Sequence, residues 1–275
     1  ASVRRFRRAD AVQRSFGGPA FGFDGSAPVV LQGWFGMSDC ADEMSAGRDE
    51  VRDALVDRAA FFRALAGYYF RPMTQEDIDG VDVAALLDAG AQGDDELAAG
   101  FDDMGRYLRK RNTGTREQLA TDFTSAFGGA VTCHDRVAVP YASVFADEDG
   151  RLNTSQRGEV YKAYKAHAFK VSADASMPED HLSFLLSFAA LLSDEAVEAL
   201  DSGDAARAAS LIEESGDFAR KHILSWYDSF AELANEIVTT RFYRGLLRAT
   251  KGYLLLDATV VANMLEALDA ETVCE

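Results

Sequence analysis

The chain has 275 residues, of which 45 are acidic and 28 are Lys or Arg, giving a formal net charge of −17. This length is sufficient to bury the core of a folded domain. The negative charge disfavours binding to nucleic acid or to an anionic membrane surface, because both attract basic side chains. It favours encounter with basic partners, although acidity that serves only solubility explains the charge equally well.

Three cysteines, Cys40, Cys133 and Cys274, form no CxxC pair and no even set for disulfide bonds. Such sparse usage is typical of a reducing compartment. The sequence Cys133-His134-Asp135 places three potential metal ligands in a row, but ligand clusters need helical or hairpin spacing. No metal site is therefore predicted.

Residues 1–36 differ in composition from the rest of the chain. They hold five arginines and only two acidic residues, together with several glycines and two prolines. The RRF at residues 4–6 resembles the start of a twin-arginine export signal, but the apolar segment that must follow is absent. We therefore predict no signal peptide. We expect a basic, irregular extension over 1–36, disordered or outside the fold, and one domain over 37–275.

Apolar residues recur every three to four positions through most of the chain, and no segment shows convincing strand alternation. This pattern predicts an all-α fold, a single compact domain of about ten helices. Thr74 with Asp77, and Thr115 with Gln118, have the spacing of capping boxes at helix starts. The predicted helices cover 49–70, a short segment after Thr74, 83–87, 94–111, 115–127, 155–167, 178–192, 205–237 with a break near Gly216, 242–256 and 258–268.

The most apolar stretch, residues 178–192, reads PEDHLSFLLSFAALL. Pro178 suits the first turn of a helix, and Glu179 and Asp180 suit its positive end. A helix that is apolar on all sides is buried, and this run is too short to span a bilayer. We predict a central buried helix here, with Asp180 capping its start and His181 hydrogen-bonded at its N-terminal end.

The longest predicted connection covers residues 131–152 and contains the sequence PYASVF at 140–145. Long loops in compact domains often carry function. An anchoring role, in which Tyr141 and Phe145 only fix the loop to the core, is equally consistent with the sequence.

Sequence signatures of catalysis are absent: the chain has no GxGxxG, no Walker loop, no GxSxG and no HExxH. Asp180 and His181 have the chemistry for proton transfer. However, no nucleophile is placed beside them, and adjacent residues of a helix point about 100 degrees apart. We therefore predict no catalytic site.

Three stretches, in matching order and spacing, resemble the TorD/DmsD/NarJ family of redox-enzyme maturation chaperones. They are PYASVF at 140–145, PEDHL at 178–182, and HILSW at 222–226 followed by Phe230 and by FYR at 242–244. The resemblance covers roughly residues 45–257. Each motif alone is short, so the order of the three carries the resemblance.

The resemblance implies a TorD/DmsD-like helical fold and a cytoplasmic protein that is not an enzyme. Such a chaperone binds the twin-arginine leader of a molybdopterin oxidoreductase catalytic subunit and delays export until the cofactor is inserted. It acts as a monomer or homodimer without a cofactor of its own, although weak GTP binding has been linked to the family. The residues implied in leader binding are Pro178, Glu179, Asp180, His181, Tyr141, Ser143, Phe145 and Trp226.

The chemistry of a leader agrees with these residues. Two arginines followed by an apolar helix require an apolar groove with carboxylates at its rim. Asp180 offers an arginine a bidentate partner. Aromatic walls formed by Tyr141, Phe145 and Trp226 would stack on the guanidinium groups.

Departures from the family pattern leave the client open. Tyr141 and Phe145 stand where some members have tryptophan, and Ser225 stands where a proline often precedes the tryptophan. The sequence does not decide whether the client expected from the resemblance has DMSO, TMAO, nitrate or other reductase activity. Two alternatives also remain: a NarJ-like scaffold for the mature part of a reductase subunit, and a nucleotide-dependent enzyme, which the missing phosphate loop disfavours.

Overall fold

The structure is a computed structural model that describes residues 40–145, 154–171 and 177–272. These residues are mostly helical, which confirms the predicted all-α fold, whereas the predicted extension over 1–36 lies outside them. None of the helices described is long and apolar enough to cross a membrane. The α-helices are α1 (Cys40–Phe70), α2 (Gln75–Gly80), α3 (Val83–Ala91), α4 (Glu96–Leu108), α5 (Thr115–Ala126), α6 (Ala142–Phe145), α7 (Thr154–Ala166), α8 (Leu182–Asp201), α9 (Ala205–Ala219), α10 (Ser225–Ile237) and α11 (Arg241–Thr272).

Two other elements interrupt the helices. A π-helical segment, Arg220–Leu224, joins α9 to α10. A hairpin of two antiparallel strands, β1 (Thr132–Cys133) and β2 (Arg136–Val137), lies between α5 and α6. Strands of two residues are too short to show apolar alternation, so the sequence pattern did not indicate them.

Helix α8 is the centre of the fold. It packs against α1 and α9, and Leu185, Phe188 and Leu192 are fully buried. The ring of Phe188 lies 4.9 Å from that of Tyr164 and 4.7 Å from that of Phe218. Burial of each such leucine or phenylalanine stabilises the fold by roughly 1.5–3 kcal/mol. The predicted central, buried helix is confirmed.

The start of α8 differs from the prediction. Pro178, Glu179 and Asp180 precede the helix, and His181 is its N-cap, with an extended backbone and a side chain that accepts the Ser183 N–H. The expectation that Asp180 caps this helix is therefore wrong. A histidine with a free ring nitrogen replaces the usual Ser, Thr, Asp or Asn acceptor.

The last part of the chain also differs from the prediction. The break expected near Gly216 falls instead at the π-helical segment, because Gly216 lies inside α9, where a Cβ would be 2.9 Å from Val261. The two helices predicted after residue 241 are one helix, α11. Asp257 does not end it, because its carboxylate faces the core and pairs with Arg58.

The predicted caps had mixed outcomes. The capping box of Thr74 and Asp77 is present at the start of α2, with both reciprocal hydrogen bonds. The box expected from Thr115 and Gln118 is absent: Gly114 is the N-cap of α5 and makes no side-chain cap bond.

Helix α1 begins at Cys40, nine residues before the predicted start at residue 49.

Candidate functional site

The segment 140–145 was predicted as part of a long connection, but its last four residues form the short helix α6. This segment lies beside the turn at 178–181. Leu182 donates its backbone N–H to Pro140 O at 2.8 Å, and Ala142 donates to Asp180 O at 3.1 Å. Tyr141 and His181 form an isolated antiparallel bridge between these two bonds. The two stretches that were singled out in the sequence, about forty residues apart, thus form one backbone junction at the start of α8.

Asp180 is buried in this junction, with 1% of its surface exposed. Its Oδ2 accepts the backbone N–H of Ser143 at 2.8 Å, so it caps the short helix α6. Its Oδ1 has no hydrogen-bond partner among the described residues. The Nε of Arg157 lies 3.7 Å from that oxygen. A buried carboxylate oxygen without a hydrogen bond is rare and destabilising, so this carboxylate is only half satisfied.

His181 is held as a neutral side chain. Its Nδ1 accepts the Ser183 N–H at 3.2 Å, and its ring packs edge-on against Tyr141 with centroids 5.0 Å apart. Burial lowers the pKa of His181 to about 4. At neutral pH the ring therefore carries its proton on Nε2 and serves as a cap and packing surface.

Arg157 of α7 covers the outer side of the junction. Its guanidinium donates to Glu179 Oε2 at 2.9 Å, and about half of its side chain remains exposed. This hydrogen bond is the main cause that lowers the pKa of Glu179. The Tyr164 hydroxyl donates to Glu179 O at 3.1 Å, while Pro178 is exposed. This outer side of the junction, formed by Pro178, Glu179 and Arg157, is called the rim. The rim thus already contains one arginine, supplied by the chain itself.

The aromatic residues implied in binding divide into two groups. Phe145 and Trp226 stack with centroids 6.0 Å apart and are 9% and 2% exposed. The indole N–H of Trp226 donates to His222 O at 2.6 Å. Tyr141 is only partly buried, at the surface of the junction. Phe145 and Trp226 therefore belong to the core beneath α6, and Tyr141 is the aromatic side chain accessible from outside.

Comparison with known proteins identifies the family of the chain. Residues 91–232 match the model of the family described as "Nitrate reductase delta subunit". The chain belongs to this family. The match includes the junction at 140–145 and 178–181 and ends after Trp226.

Several relatives of this chain are named chaperones. The chain is 26% identical over 215 residues to "Chaperone protein TorD" of Vibrio vulnificus strain YJ016, covering 76% of this chain and 96% of the relative. It is 26% identical over 214 residues to the TorD chaperone of Vibrio cholerae strain M66-2, covering 76% and 94%. The TorD chaperone of Shewanella pealeana is 25% identical over 171 residues, covering 59% and 70%. The family is not catalytic, which confirms the prediction that this member is not an enzyme.

Sequence reasoning missed Arg157. It lies on α7, outside all three motifs, and 22 positions separate it from Glu179. Its place at the rim depends on how α7 folds back over the start of α8. An arginine among charged neighbours on a polar helix gives no sequence signal for such a contact.

Proposed function

We propose that this chain, a redox-enzyme maturation chaperone by its family and relatives, binds the twin-arginine leader of a molybdopterin oxidoreductase subunit. The leader binds at the junction of 140–145 and 178–181. It is held there, in the cytoplasm, until the cofactor has been inserted into the client. The observation that carries the proposal is Asp180: one of its buried oxygens has no hydrogen-bond partner in the part of the chain that the structure describes, and it lies beside a guanidinium.

The position of Arg157 shows where a guanidinium can lie between Glu179 and Asp180, and a leader arginine would bind in the same place. Its guanidinium bonds Glu179 and approaches Asp180 Oδ1 without reaching hydrogen-bond distance, at 3.7 Å. A leader arginine that enters from solvent can approach both carboxylates more closely and form charge-assisted bonds with each. Arg157 is then displaced toward water, which costs little because its side chain is already about half exposed.

Of the other residues implied by the family, one would contact the leader directly and the rest would hold the site in place. Tyr141 offers its accessible ring to the guanidinium or to the first apolar residue of the leader. Ser143 holds Asp180 in position through its backbone N–H. Phe145 and Trp226 act from below, because their stacked rings support α6. His181 fixes the start of α8, and Pro178 shapes the turn at the rim.

Asp180→Asn tests the proposal with little disturbance of the fold. The asparagine oxygen can still accept the Ser143 N–H, while the charge that would pair with arginine is removed. Each charge-assisted bond contributes about 1.5–3 kcal/mol, so we expect leader affinity to fall roughly tenfold to a hundredfold. Isothermal titration of the full chain with a synthetic twin-arginine leader, and with its twin-lysine version, measures this loss.

The control is Asp201→Asn, an exposed residue at the far end of the same helix. It should bind the leader as the wild type does. Unchanged affinity in Asp180→Asn, with helical content retained, would place the leader site elsewhere on the chain.

The family description favours one second candidate. A match to the nitrate reductase delta subunit family agrees with a scaffold that binds the mature part of a reductase subunit. Co-purification with a leader-deleted client distinguishes the two. Retained binding supports the scaffold, and lost binding supports leader recognition.

A further inference from the structure

The β1–β2 hairpin brings three metal-binding side chains together at the surface. The Cys133 thiol donates to Glu236 Oε2 at 3.0 Å, and His134 Nε2 lies 3.0 Å from the same oxygen. All three donor atoms lie within 4.8 Å of one another. Cys133 and His134 come from the hairpin, and Glu236 comes from the last turn of α10. The hairpin supplies the spacing that the bare sequence Cys133-His134 lacks.

We infer that Cys133, His134 and Glu236 form a binding site for one zinc-like divalent cation. A thiolate, an imidazole and a carboxylate are the three ligand types that proteins use for Zn²⁺. The thiolate and imidazole select borderline metals over Mg²⁺ or Ca²⁺, which prefer oxygen ligands. Three protein ligands leave the fourth tetrahedral position to water or to an outside ligand.

The distances require only a small adjustment. Zn–N and Zn–O near 2.0 Å and one Zn–S near 2.3 Å place tetrahedral ligand atoms about 3.3–3.5 Å apart. Cys133 Sγ and His134 Nε2 are each 3.0 Å from Glu236 Oε2, so these two separations must lengthen by about 0.3–0.5 Å to admit an ion. Cys133 Sγ and His134 Nε2 lie within 4.8 Å of each other. The side chains of Glu236 and His134 are 50% and 76% exposed, so both can rotate without disturbing packed neighbours.

The hairpin backbone has an unusual tip that a bound ion would stabilise. His134 and Asp135 both have positive φ angles, 51° and 59°, in a two-residue turn that usually contains Asn-Gly. Left-handed backbone without glycine costs energy, although His and Asp tolerate it better than most residues. A metal bridge from this tip to α10 offsets that cost and fixes the chain that leads directly into the 140–145 loop.

Cobalt titration of the full chain tests the inference. Co²⁺ coordinated by a cysteine gives a thiolate-to-cobalt absorption band in the near ultraviolet. Zn²⁺ should then displace the bound Co²⁺ and remove the band, with a stoichiometry of one ion per chain. Cys133 releases its thiol proton on coordination, so binding should also liberate acid. Removing any one ligand should weaken Co²⁺ affinity about tenfold or more, since loss of an outer partner alone has that effect.

The variants are chosen to keep the hairpin intact. Cys133→Ser should abolish the band, and Glu236→Gln should weaken binding. His134→Asn should also weaken binding, while asparagine retains tolerance for positive φ. Two control variants should bind Co²⁺ as the wild type does. One is Glu232→Gln, at an exposed residue one turn earlier on α10. The other combines Cys40→Ser with Cys274→Ser.

Two results would overturn the inference. One is Co²⁺ affinity that is unchanged in both His134→Asn and Glu236→Gln, which would reduce the band to cysteine reactivity alone. The other is loss of the band in the Cys40 and Cys274 variant, which would place the metal on those residues. As a second measure, Zn²⁺ should raise the unfolding temperature of the wild type and not that of Cys133→Ser.

Discussion

Two buried aspartates in this molecule have very different surroundings. In the core, Asp257 of α11 takes both of its oxygens to Arg58, at 2.6 Å and 2.9 Å. The remaining guanidinium nitrogen donates to Ser193 and Ser215, each at 2.7 Å. At the start of α8, Asp180 is equally buried but uses one oxygen for a single backbone N–H. Its other oxygen faces a loosely placed arginine.

The difference separates a structural carboxylate from one that is available for binding. The Arg58–Asp257 pair is 2% and 3% exposed, and its hydrogen bonds tie together α1, α8, α9 and α11. No ligand can improve on that arrangement. Asp180 lies beside an arginine that is 46% exposed, which a leader arginine would displace under the proposed function. Burial alone therefore does not identify a structural residue, whereas a complete set of partners does.

The largest effect is expected at the core pair. Asp257→Asn leaves the Arg58 guanidinium buried without its counter-charge, which should reduce the free energy of unfolding by about 3–5 kcal/mol. Urea denaturation followed by circular dichroism measures the change. Asp201→Asn removes the partner of Arg52 in a largely exposed pair and should have no measurable effect.

Asp180→Asn provides the comparison in stability. Its loss of free energy of unfolding should be clearly smaller than that of Asp257→Asn. One Asp180 oxygen has no hydrogen bond to any described residue, and the asparagine oxygen can keep the hydrogen bond from Ser143 N–H. Equal losses at the two positions would contradict the distinction between a structural and an available carboxylate.

The features that local patterns determine were predictable from the sequence. The apolar run of α8 requires burial whatever surrounds it, and the Thr74–Asp77 capping box needs only its own four residues. The break in the segment 205–237 was predicted, but not its position. Gly216 reads as a helix breaker until Val261, from a distant helix, is seen to need the space of its missing side chain.

The candidate site was predictable only as a set of motifs. The family resemblance implied that 140–145 and 178–181 contribute to one site, and their backbone hydrogen bonds show that the two segments are adjacent. The burial of Asp180 and the approach of Arg157 depend on how α7 covers the turn. Glu236 lies 103 positions from Cys133, so no spacing rule could have joined them. Each of these contacts is tertiary, and local periodicity carries no information about it.

A smaller effect is expected from the arginine that lies beside Asp180. Arg157→Ala removes the internal competitor of a leader arginine. An exposed ion pair contributes about 0.2–1 kcal/mol, so leader affinity should rise up to about fivefold. Titration with the synthetic leader measures this gain, and Lys162→Ala on the same helix is the matched control. A fall in affinity would instead show that Arg157 contacts the leader or holds Glu179 in place for it.

The smallest effect concerns the other end of α7, where His167 holds the helix that carries Arg157. Its Nδ1 lies 2.8 Å from Glu195 Oε2 and its Nε2 lies 3.0 Å from Glu214 Oε1. The hydrogen bond to Glu195 raises the pKa of His167 above its usual 6.5, with Glu214 adding to the effect.

A raised pKa in the folded state means that this stabilisation is complete below pH 6.5 and is lost as pH rises through the folded-state pKa. The free energy of unfolding, measured by urea denaturation from pH 6 upward, should therefore decline less in His167→Gln than in the wild type. His222→Gln is the control: burial lowers the pKa of His222, so its contribution to stability rises with pH, opposite in sign to that of His167, and its removal should not lessen the decline. If the decline persists in His167→Gln, the two carboxylates do not hold α7 through a charged histidine, and Arg157 is then placed at the rim by packing alone.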